Sequence, residues 1–354
     1  MSPTPKVARV LIQMGPGGVG KTTVSAAFGL HLAEQGQRVL VMTIDPSKRL
    51  AQALGVSAAS GVKKVSTEGA SGELYACILD HGQIFDSFIK KIAFNNPSIE
   101  KLFNNRLYQS LKTRLQGSQD FTSLIELHNQ AHSGQFDVVI LDTPPAQHAW
   151  QFLDSPEKLG SLFREKIMKW FRWMGEPESG AGIWSRVISA GTQKVLGALE
   201  ILTGSEFMKQ ISDFFKSIYA SQEQLRDKIE RSERLLKSEN TEFTLITTQD
   251  KLKIQETTQF AKEILNRGYH LKRIILNRAW PLSEVGDLSN FNDKEKLDIQ
   301  KTLDLFTSQI QSEKELFSQL PQNIEVLRVF DTMKSSHDLK ILSEMAHDMR
   351  ESIK

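Results

Sequence analysis

The sequence has little cysteine, no long apolar run and almost no net charge, and each shortage excludes a class of site or partner. Its one cysteine, Cys77, lies in a short apolar stretch that predicts a buried strand, and a lone thiol forms neither an intrachain disulfide nor a C-x-x-C zinc site. No stretch reaches the ~20 apolar residues of a membrane span, and the N-terminus has no signal-peptide core. We therefore expect a cytoplasmic protein without a transmembrane segment or a zinc site.

The charge balance gives no indication of a nucleic-acid partner. The 354 residues carry a formal net charge of +2, and the eight histidines form no ligand-like cluster along the sequence. The length suffices for one large α/β domain or for two smaller ones. Composition therefore does not indicate the function, and the evidence for it comes from sequence motifs.

A glycine-rich segment near the N-terminus is the most informative motif. Residues 15–22 are Gly-Pro-Gly-Gly-Val-Gly-Lys-Thr, which fits the phosphate-loop pattern G-x-x-x-x-G-K-[ST], between a strand-like run at 7–14 and a helical run at 24–35. Lys21 is expected to contact the β- and γ-phosphates of a nucleotide, and the Thr22 hydroxyl to bind Mg²⁺. The residues predicted to bind nucleotide in this loop are Gly15, Gly17, Gly18, Val19, Gly20, Lys21, Thr22 and Thr23.

The same segment has a second interpretation. Gly15, Gly17 and Gly20 also satisfy the dinucleotide pattern G-x-G-x-x-G, and Asp45 lies about where such folds place their ribose-binding acid. An NAD-dependent oxidoreductase is therefore an alternative. Lys21 and Thr22 argue against it, because a dinucleotide loop needs neither group, whereas a magnesium-bound triphosphate needs both.

Strand-like and helical runs alternate over most of the chain. The apolar runs are 7–14, 38–44, 74–79, 136–141, 243–248, 271–276 and 324–329, and several are continuous, as is typical of strands covered on both faces. They predict an α/β fold with a doubly wound, mostly parallel P-loop NTPase sheet. Between 153 and 243 the alternation breaks, so we expect a P-loop core at 1–153 and 243–354 with a helical insertion at 154–242.

Two predicted strands end in an aspartate at the edge where the phosphate loop lies. Asp142 follows the apolar run 136–141 and is predicted to hold Mg²⁺, through a water or through the loop hydroxyl. Asp45 begins a turn fixed by Pro46 and is predicted to orient or deprotonate the water that attacks the γ-phosphate. A helix N-cap or an Asx turn is the alternative for each carboxylate.

The joint order of these segments resembles the ATPase family of arsenite pumps and tail-anchored-protein targeting factors. The resemblance is carried by Gly-Gly-Val-Gly-Lys-Thr-Thr at 17–23, Asp-Pro at 45–46, Asp-Thr-x-Pro-x-x-His at 142–148 and the strand with Asn-Arg-Ala-Trp-Pro at 277–281. It spans roughly residues 7 to 340. It implies a dimeric ATPase that uses ATP and Mg²⁺ and whose subunits close on the nucleotide.

The resemblance also implies roles for individual residues. Asp45 would be the hydrolytic residue of a first switch that includes Pro46, and Asn277 would contact adenine. The segment from Asp142 through Pro145 to His148 would form a second switch that reports the γ-phosphate. The alternative for His148 is an ordinary turn histidine. Phe330, at the end of the last predicted strand, is a candidate to pack on adenine, with an ordinary core position as its alternative. No guanine-reading Thr/Asn-Lys-x-Asp motif is present, which favours ATP.

Two departures from the family pattern limit this inference. Family loops usually carry a lysine just after the first glycine that reaches the partner's nucleotide, and here Pro16 provides neither a cation nor an N–H. Either another residue replaces that lysine, or a lysine-bearing paralogue supplies it in a heterodimer, or hydrolysis is slow. The alternative is that a proline at this position has little effect on hydrolysis. The single cysteine also excludes the pump's arsenite-binding thiols and the targeting factor's zinc-bridged dimer.

The predicted insertion is the candidate partner surface. Apolar and basic residues alternate at 162–174, and apolar residues recur at helical spacing over 211–219. The resemblance suggests that 154–242 binds a hydrophobic client or a membrane-protein partner; alternatively, these helices only cover the sheet. The sequence thus predicts a slow, homodimeric or heterodimeric ATPase that acts as a switch, with a low-turnover regulatory subunit as the alternative.

Overall fold

One eight-stranded sheet organises the part of the chain that the structure describes. The structure is a computed structural model, and it describes residues 7–44, 49–57, 59–67, 69–92, 103–104, 109, 119–155, 222–279, 292–321, 323–330 and 339–352. Its strands are β1 (Arg9–Met14), β2 (Arg38–Thr43), β3 (Gly61–Lys64), β4 (Glu73–Ile78), β5 (Val138–Asp142), β6 (Thr241–Thr247), β7 (Leu271–Ala279) and β8 (Glu325–Phe330).

The helices of the same ranges lie between these strands in the chain and after the last of them. They are α1 (Lys21–Glu34), α2 (Arg49–Ala53), α3 (His81–Ile92), α4 (Gln119–Ala131), α5 (Ala146–Leu153), α6 (Gln222–Leu236), α7 (Lys251–Asn266), α8 (Asp293–Phe317) and α9 (Leu339–Ser352). Within the described ranges, no helix is both long and apolar enough to cross a bilayer.

The strand order is β3-β4-β2-β5-β1-β6-β7-β8, and all neighbours are parallel except β3 and β4. The predicted doubly wound, mostly parallel sheet is therefore confirmed. β1 lies at its centre, between β5 and β6, so the segment that leaves β1 emerges at the middle of the carboxyl edge. In open α/β sheets this edge is where ligands bind.

Helix α1 packs on one face of the sheet and positions the loop that precedes it. Its apolar side chains share a core cluster with Val41 of β2, Ile140 of β5 and Ile275 of β7, and with Leu342 and Met345 of α9. Helix α7 packs against β6, β7 and α8. Strands covered in this way have continuous apolar sequences, since both faces are withdrawn from water.

The chain divides into two compact units. The first comprises Met1–Leu79, Glu126–Gln151 and Leu235–Lys354; it contains the sheet. The second comprises Asp80–Ile125 and Phe152–Arg234, and within it the rings of Phe88 and Phe121 meet edge to face at 5.2 Å. This division differs from the predicted core and insertion, because residues 80–125 fall in the second unit. The predicted insertion at 154–242 lies largely outside the described residues, so its helical character stays a prediction.

The structure differs from the sequence prediction at β3, α1 and β7, among other element ends. Strand β3 was not predicted, because Gly61-Val62-Lys63-Lys64 is short, polar and half-exposed or exposed, as edge strands often are. Helix α1 begins at Lys21 rather than at Val24, so the last two residues of the phosphate-loop motif are helical. Strand β7 continues three residues beyond Leu276, through a bulge between Asn277 and Ala279.

Candidate active site

The segment 15–20 joins β1 to α1 through a tight turn that needs glycine. A Cβ on Gly15 would lie 2.1 Å from the carbonyl oxygen of Ile246 in β6, a distance that no real side chain adopts. Gly18 and Gly20 have φ angles of +79° and +88°, in the left-handed region that glycine occupies without steric cost. The backbone at these positions therefore depends on the absence of side chains.

The N-terminus of helix α1 is suited to bind an anion. Gly20 is its N-cap and has no side chain to cap the helix, and the first turn has no acidic residue. The Nζ of Lys21, which is 8% exposed, donates to the carbonyl oxygens of Gly15 at 3.1 Å and Pro16 at 2.9 Å. The helix N-terminus and this ammonium group thus place positive charge at the loop, which fits a bound triphosphate.

Asp142, the last residue of β5, lies beside the start of α1. Its side chain is 1% exposed, and its Oδ2 accepts hydrogen bonds from the Thr22 hydroxyl at 2.7 Å and from the Thr43 hydroxyl at 3.1 Å. Thr43 is its register partner on β2. The two side chains predicted to hold Mg²⁺, Thr22 and Asp142, are therefore in direct contact, and both offer the oxygen ligands that this ion takes.

Two further polar side chains, not predicted as site residues, complete this region. Gln13 of β1 pairs in register with Asp142, and its Oε1 accepts from the Ser25 hydroxyl of α1 at 2.6 Å. The backbone N–H of Thr143 and its hydroxyl both donate to the Gln13 carbonyl, at 3.2 and 2.8 Å. A polar residue inside an otherwise apolar strand is the signal that points to Gln13, and Thr43 could have been found as the last residue of its strand.

The remaining predicted site residues have different surroundings. Asn277 is 5% exposed, and its Nδ2 donates to the carbonyl oxygen of Val19 at 2.8 Å, so its amide lies against the phosphate loop. Phe330 ends β8 half-buried, and its N–H donates to Asp348 of α9 at 3.1 Å. Pro145 is exposed, and its Cβ lies 4.0 Å from where a Cβ on Gly17 would be.

Three predicted site positions cannot be placed in the same way. Asp45 and Pro46 lie outside the described residues, as does the side chain of His148, whose backbone belongs to α5. Their predicted roles in the two switches stay predictions. What the structure brings together is the loop, Lys21, Thr22, Asp142 and Asn277.

Helix α5, which follows Asp142 in the chain, contacts helix α7 through an aromatic residue. The guanidinium of Arg267 lies 4.4 Å from the ring centroid of Trp150, and the Phe260 ring lies 6.0 Å from it. A cation–π contact of this kind contributes about 0.5–1 kcal/mol at an exposed site. The start of α5 thus follows closely on the hydrogen-bonded Thr143, and the helix contacts α7 through Trp150.

Comparison with known proteins shows what the chain as a whole is similar to. The model of the family described as anion-transporting ATPase matches residues 8–330. Among the similar proteins, one of Aquifex aeolicus (strain VF5) named as an arsenical pump-driving ATPase 1 is 25% identical over 308 residues, 83% of this chain and 69% of the relative. An arsenical pump-driving ATPase of Chlorobaculum tepidum is 24% identical over 343 residues, 96% and 75% of the two chains. ATPase get3 of Aspergillus terreus is 23% identical over 293 residues, 82% and 79%.

These matches decide between the two interpretations of the glycine loop. The family model covers both the loop and Asn277, and the relatives are named ATPases, so the predicted resemblance and the predicted ATP-hydrolysing activity are confirmed and the oxidoreductase alternative loses its support. On the strength of its sheet, its phosphate loop and this match over nearly its whole length, the chain belongs to the anion-transporting ATPase family.

Proposed function

We propose that this ATPase is a cytoplasmic, dimeric, Mg²⁺-dependent switch that hydrolyses ATP slowly and couples its nucleotide state to a protein partner or a hydrophobic client. The observation that carries the proposal is the hydrogen bond between Thr22 and Asp142 beneath the loop. It joins the start of the phosphate-binding helix to the strand end that leads into α5. Loss of the γ-phosphate would therefore change contacts of both the helix α1 and the end of strand β5.

The residues of the loop bind the triphosphate in this proposal. The loop amides and the N-terminus of α1 donate to phosphate oxygens, and Lys21 exchanges its bonds to loop carbonyls for contacts with the β- and γ-phosphates. Thr22 and Asp142 hold Mg²⁺, directly or through a water. When bound, the ion neutralises charge on the β- and γ-phosphate oxygens. Asn277 of β7, and Phe330 at the end of the neighbouring strand β8, are proposed to contact adenine.

Hydrolysis requires a positioned water, for which Asp45 is the proposed group. The water oxygen attacks the γ-phosphorus in line with the bridging oxygen, that P–O bond breaks, and the water's proton passes to the carboxylate or to phosphate. Lys21 and the loop amides stabilise the developing charge. Pro16 offers no cation for this step, which supports low turnover.

The second switch is proposed to run from Asp142 into α5. Thr143 is fixed to Gln13 by two hydrogen bonds, and α5 follows within three residues. Departure of the γ-phosphate would alter the contacts of Asp142 and shift α5 against α7, where Trp150 lies. Residues 154–242 are proposed to carry the response to the client, on the basis of their sequence.

A second candidate is favoured by Pro16. In this alternative the chain is a low-turnover, nucleotide-binding subunit, and a lysine-bearing paralogue completes the site in a heterodimer. The same loop would bind ATP equally well in both cases, because the Pro16 carbonyl that receives Lys21 is a backbone group. The two proposals therefore differ in turnover rather than in affinity.

One set of measurements tests both proposals. ATP turnover and sedimentation of the pure protein are measured with and without Mg²⁺ and a non-hydrolysable ATP analogue, alone and mixed with a paralogue. Turnover of the protein alone that is lost in Asp45→Asn, with dimerisation on Mg²⁺–analogue, supports the switch; turnover only in the mixture supports the regulatory subunit. A monomer in every nucleotide state whose turnover survives Asp45→Asn would refute both.

Asp250→Asn is the matched control for the charge change. Asp250 also follows a strand, β6, and caps α7 by accepting from the Lys253 N–H at 3.0 Å. Because asparagine caps helices about as well as aspartate, this variant removes one carboxylate near the same sheet edge without a loss of stability. Its turnover should equal that of the unaltered protein.

A further inference from the structure

The side chain of Asn277 lies under the phosphate loop and bonds to its backbone. Its Nδ2 donates to the carbonyl oxygen of Val19 at 2.8 Å, a contact between residues 258 positions apart that is buried on both sides. A residue that only contacted a base would have no need of this bond. The geometry gives Asn277 a second task.

The strand places Asn277 at this point. Arg273, Ile275 and Asn277 alternate toward the α1 face of β7: Ile275 belongs to the α1 core cluster, and the Arg273 guanidinium lies 5.4 Å from the centroid of the Phe28 ring of α1. Immediately after Asn277 a bulge interrupts the regular pairing of β7, and in it Arg278 has a φ of +55°. Such left-handed backbone in a non-glycine residue is costly and is often found at functional sites.

The bond to Val19 controls the direction of the next peptide group. In a trans peptide the C=O and the following N–H point in opposite directions. Because the Val19 carbonyl points to the Asn277 amide, the N–H of Gly20 points away from that side chain. Gly20 has room for this only without a side chain, since its Cβ would lie 2.4 Å from Nδ2 of Asn277.

We propose that Asn277 is a positioning residue for phosphate binding: its side-chain amide fixes the Val19–Gly20 peptide so that the loop is shaped for phosphate before nucleotide arrives. This inference rests on the proposed phosphate-binding function of the loop. It differs from base recognition, because it predicts that Asn277 also contributes to the binding of a phosphate ligand that has no base.

Inorganic tripolyphosphate with Mg²⁺ is the probe that separates the two tasks. Calorimetry compares its affinity and that of a non-hydrolysable ATP analogue for the unaltered protein and for Asn277→Ala. In Asn277→Ala the ligand-free loop loses the bond that orders it, so the loop has to be ordered on binding, and we expect about tenfold weaker binding of tripolyphosphate. Weakening of both ligands, equal or larger for the ATP analogue, supports the proposal. Unchanged tripolyphosphate affinity overturns it, whether or not the analogue binds more weakly.

Ile275→Val is the matched control. It lies two residues earlier on the same face of the same strand, is fully buried, and loses one methylene but no hydrogen-bonding group. Both variants should have lower unfolding midpoints, whereas only Asn277→Ala should weaken tripolyphosphate binding. If Ile275→Val weakens binding to the same degree, general destabilisation of β7 explains the effect and the positioning role is rejected.

Hydrogen exchange of the ligand-free protein provides a test that does not depend on nucleotide. The proposal expects faster exchange of the loop amides at 17–21 in Asn277→Ala than in Ile275→Val; equal rates would contradict it. If the unaltered protein binds neither tripolyphosphate nor the ATP analogue, the proposed function fails, and the exchange rates still decide whether Asn277 orders the loop.

Discussion

Two threonines donate to the same oxygen of Asp142, and replacing each one separately tests the proposed metal site. The Thr22 hydroxyl lies 2.7 Å from Oδ2 and the Thr43 hydroxyl 3.1 Å. A change to valine removes the hydroxyl while keeping the branched shape, so helix or strand propensity is little altered. Only Thr22 lies at the start of α1, where it is proposed to bind Mg²⁺; Thr43 is 4% exposed and is proposed to act only on the carboxylate.

The structure predicts similar losses of stability and different losses of metal response. A hydrogen bond to a charged group contributes about 1.5–3 kcal/mol, so each variant should lower the free energy of unfolding by roughly that amount in ligand-free urea titrations. For Thr22→Val, the gain in affinity for an ATP analogue on addition of Mg²⁺ should fall by about tenfold or more, since a proposed ligand is lost. Thr43→Val should keep most of that gain.

Thr257→Val serves as the control for removing a buried hydroxyl elsewhere. Thr257 lies in α7, and its hydroxyl donates to the Lys253 carbonyl at 2.7 Å. This variant should leave the Mg²⁺ response unchanged. Equal loss of the Mg²⁺ response in Thr22→Val and Thr43→Val would refute direct ligation by Thr22, because the hydroxyl would then act only through the carboxylate. If neither variant loses stability, the two hydrogen bonds do not hold Asp142.

Three further expectations concern local structure. Burial, with a smaller contribution from Glu126, raises the pKa of Cys77 to about 12, so alkylation of the folded protein at pH 8 should be at least ~100-fold slower than in urea. Because the Cys77 thiol ionises only in the unfolded chain between roughly pH 8.5 and 12, the free energy of unfolding should fall as pH rises through that range. A rise would contradict the burial of this thiol. Gly15→Ala should abolish nucleotide binding, whereas Gly18→Ala, whose Cβ meets nothing within 4 Å, should bind and lose only about 1–2 kcal/mol of stability; calorimetry and urea unfolding compare them. At the left-handed Arg278, a change to valine should leave the protein at least ~1 kcal/mol less stable than a change to glycine, and equal urea midpoints would argue against strain there.

The sheet could be predicted because its strands are covered on both faces. Runs such as Val-Val-Ile-Leu at 138–141 are apolar at every position, which only a buried strand or helix requires, and their length and the turns around them decide for strand. Strand β3 escaped prediction for the opposite physical reason. It lies at the edge, pairs on one side only with β4, and carries two lysines, so no hydrophobic signal marks it.

The candidate site was predictable in its parts but not in all of its contacts. Asp142 and Thr22 follow from a local motif and from the rule that parallel strands end at one edge. The contact of Asn277 with Val19 joins residues 258 positions apart and depends on the register of β7 and on the bulge that follows Asn277. No local pattern specifies such a register, since it results from packing of the complete sheet.

Pro16 contributes to the loop through its backbone carbonyl but not through its side chain. The Pro16 carbonyl accepts the hydrogen bond from Lys21 at 2.9 Å, as any residue's carbonyl would. The ring itself is buried and provides no group that could extend to a second nucleotide. Apart from the one N–H that proline lacks, the proposed ground-state binding of ATP by the loop amides, Lys21 and the Thr22–Asp142 pair should therefore be unaffected by Pro16. The missing cation should instead matter for the charge that develops only during hydrolysis. Affinity for ATP and its turnover should for this reason be separable in this protein, and a partner that supplies a cation should raise turnover without tightening the binding of ATP.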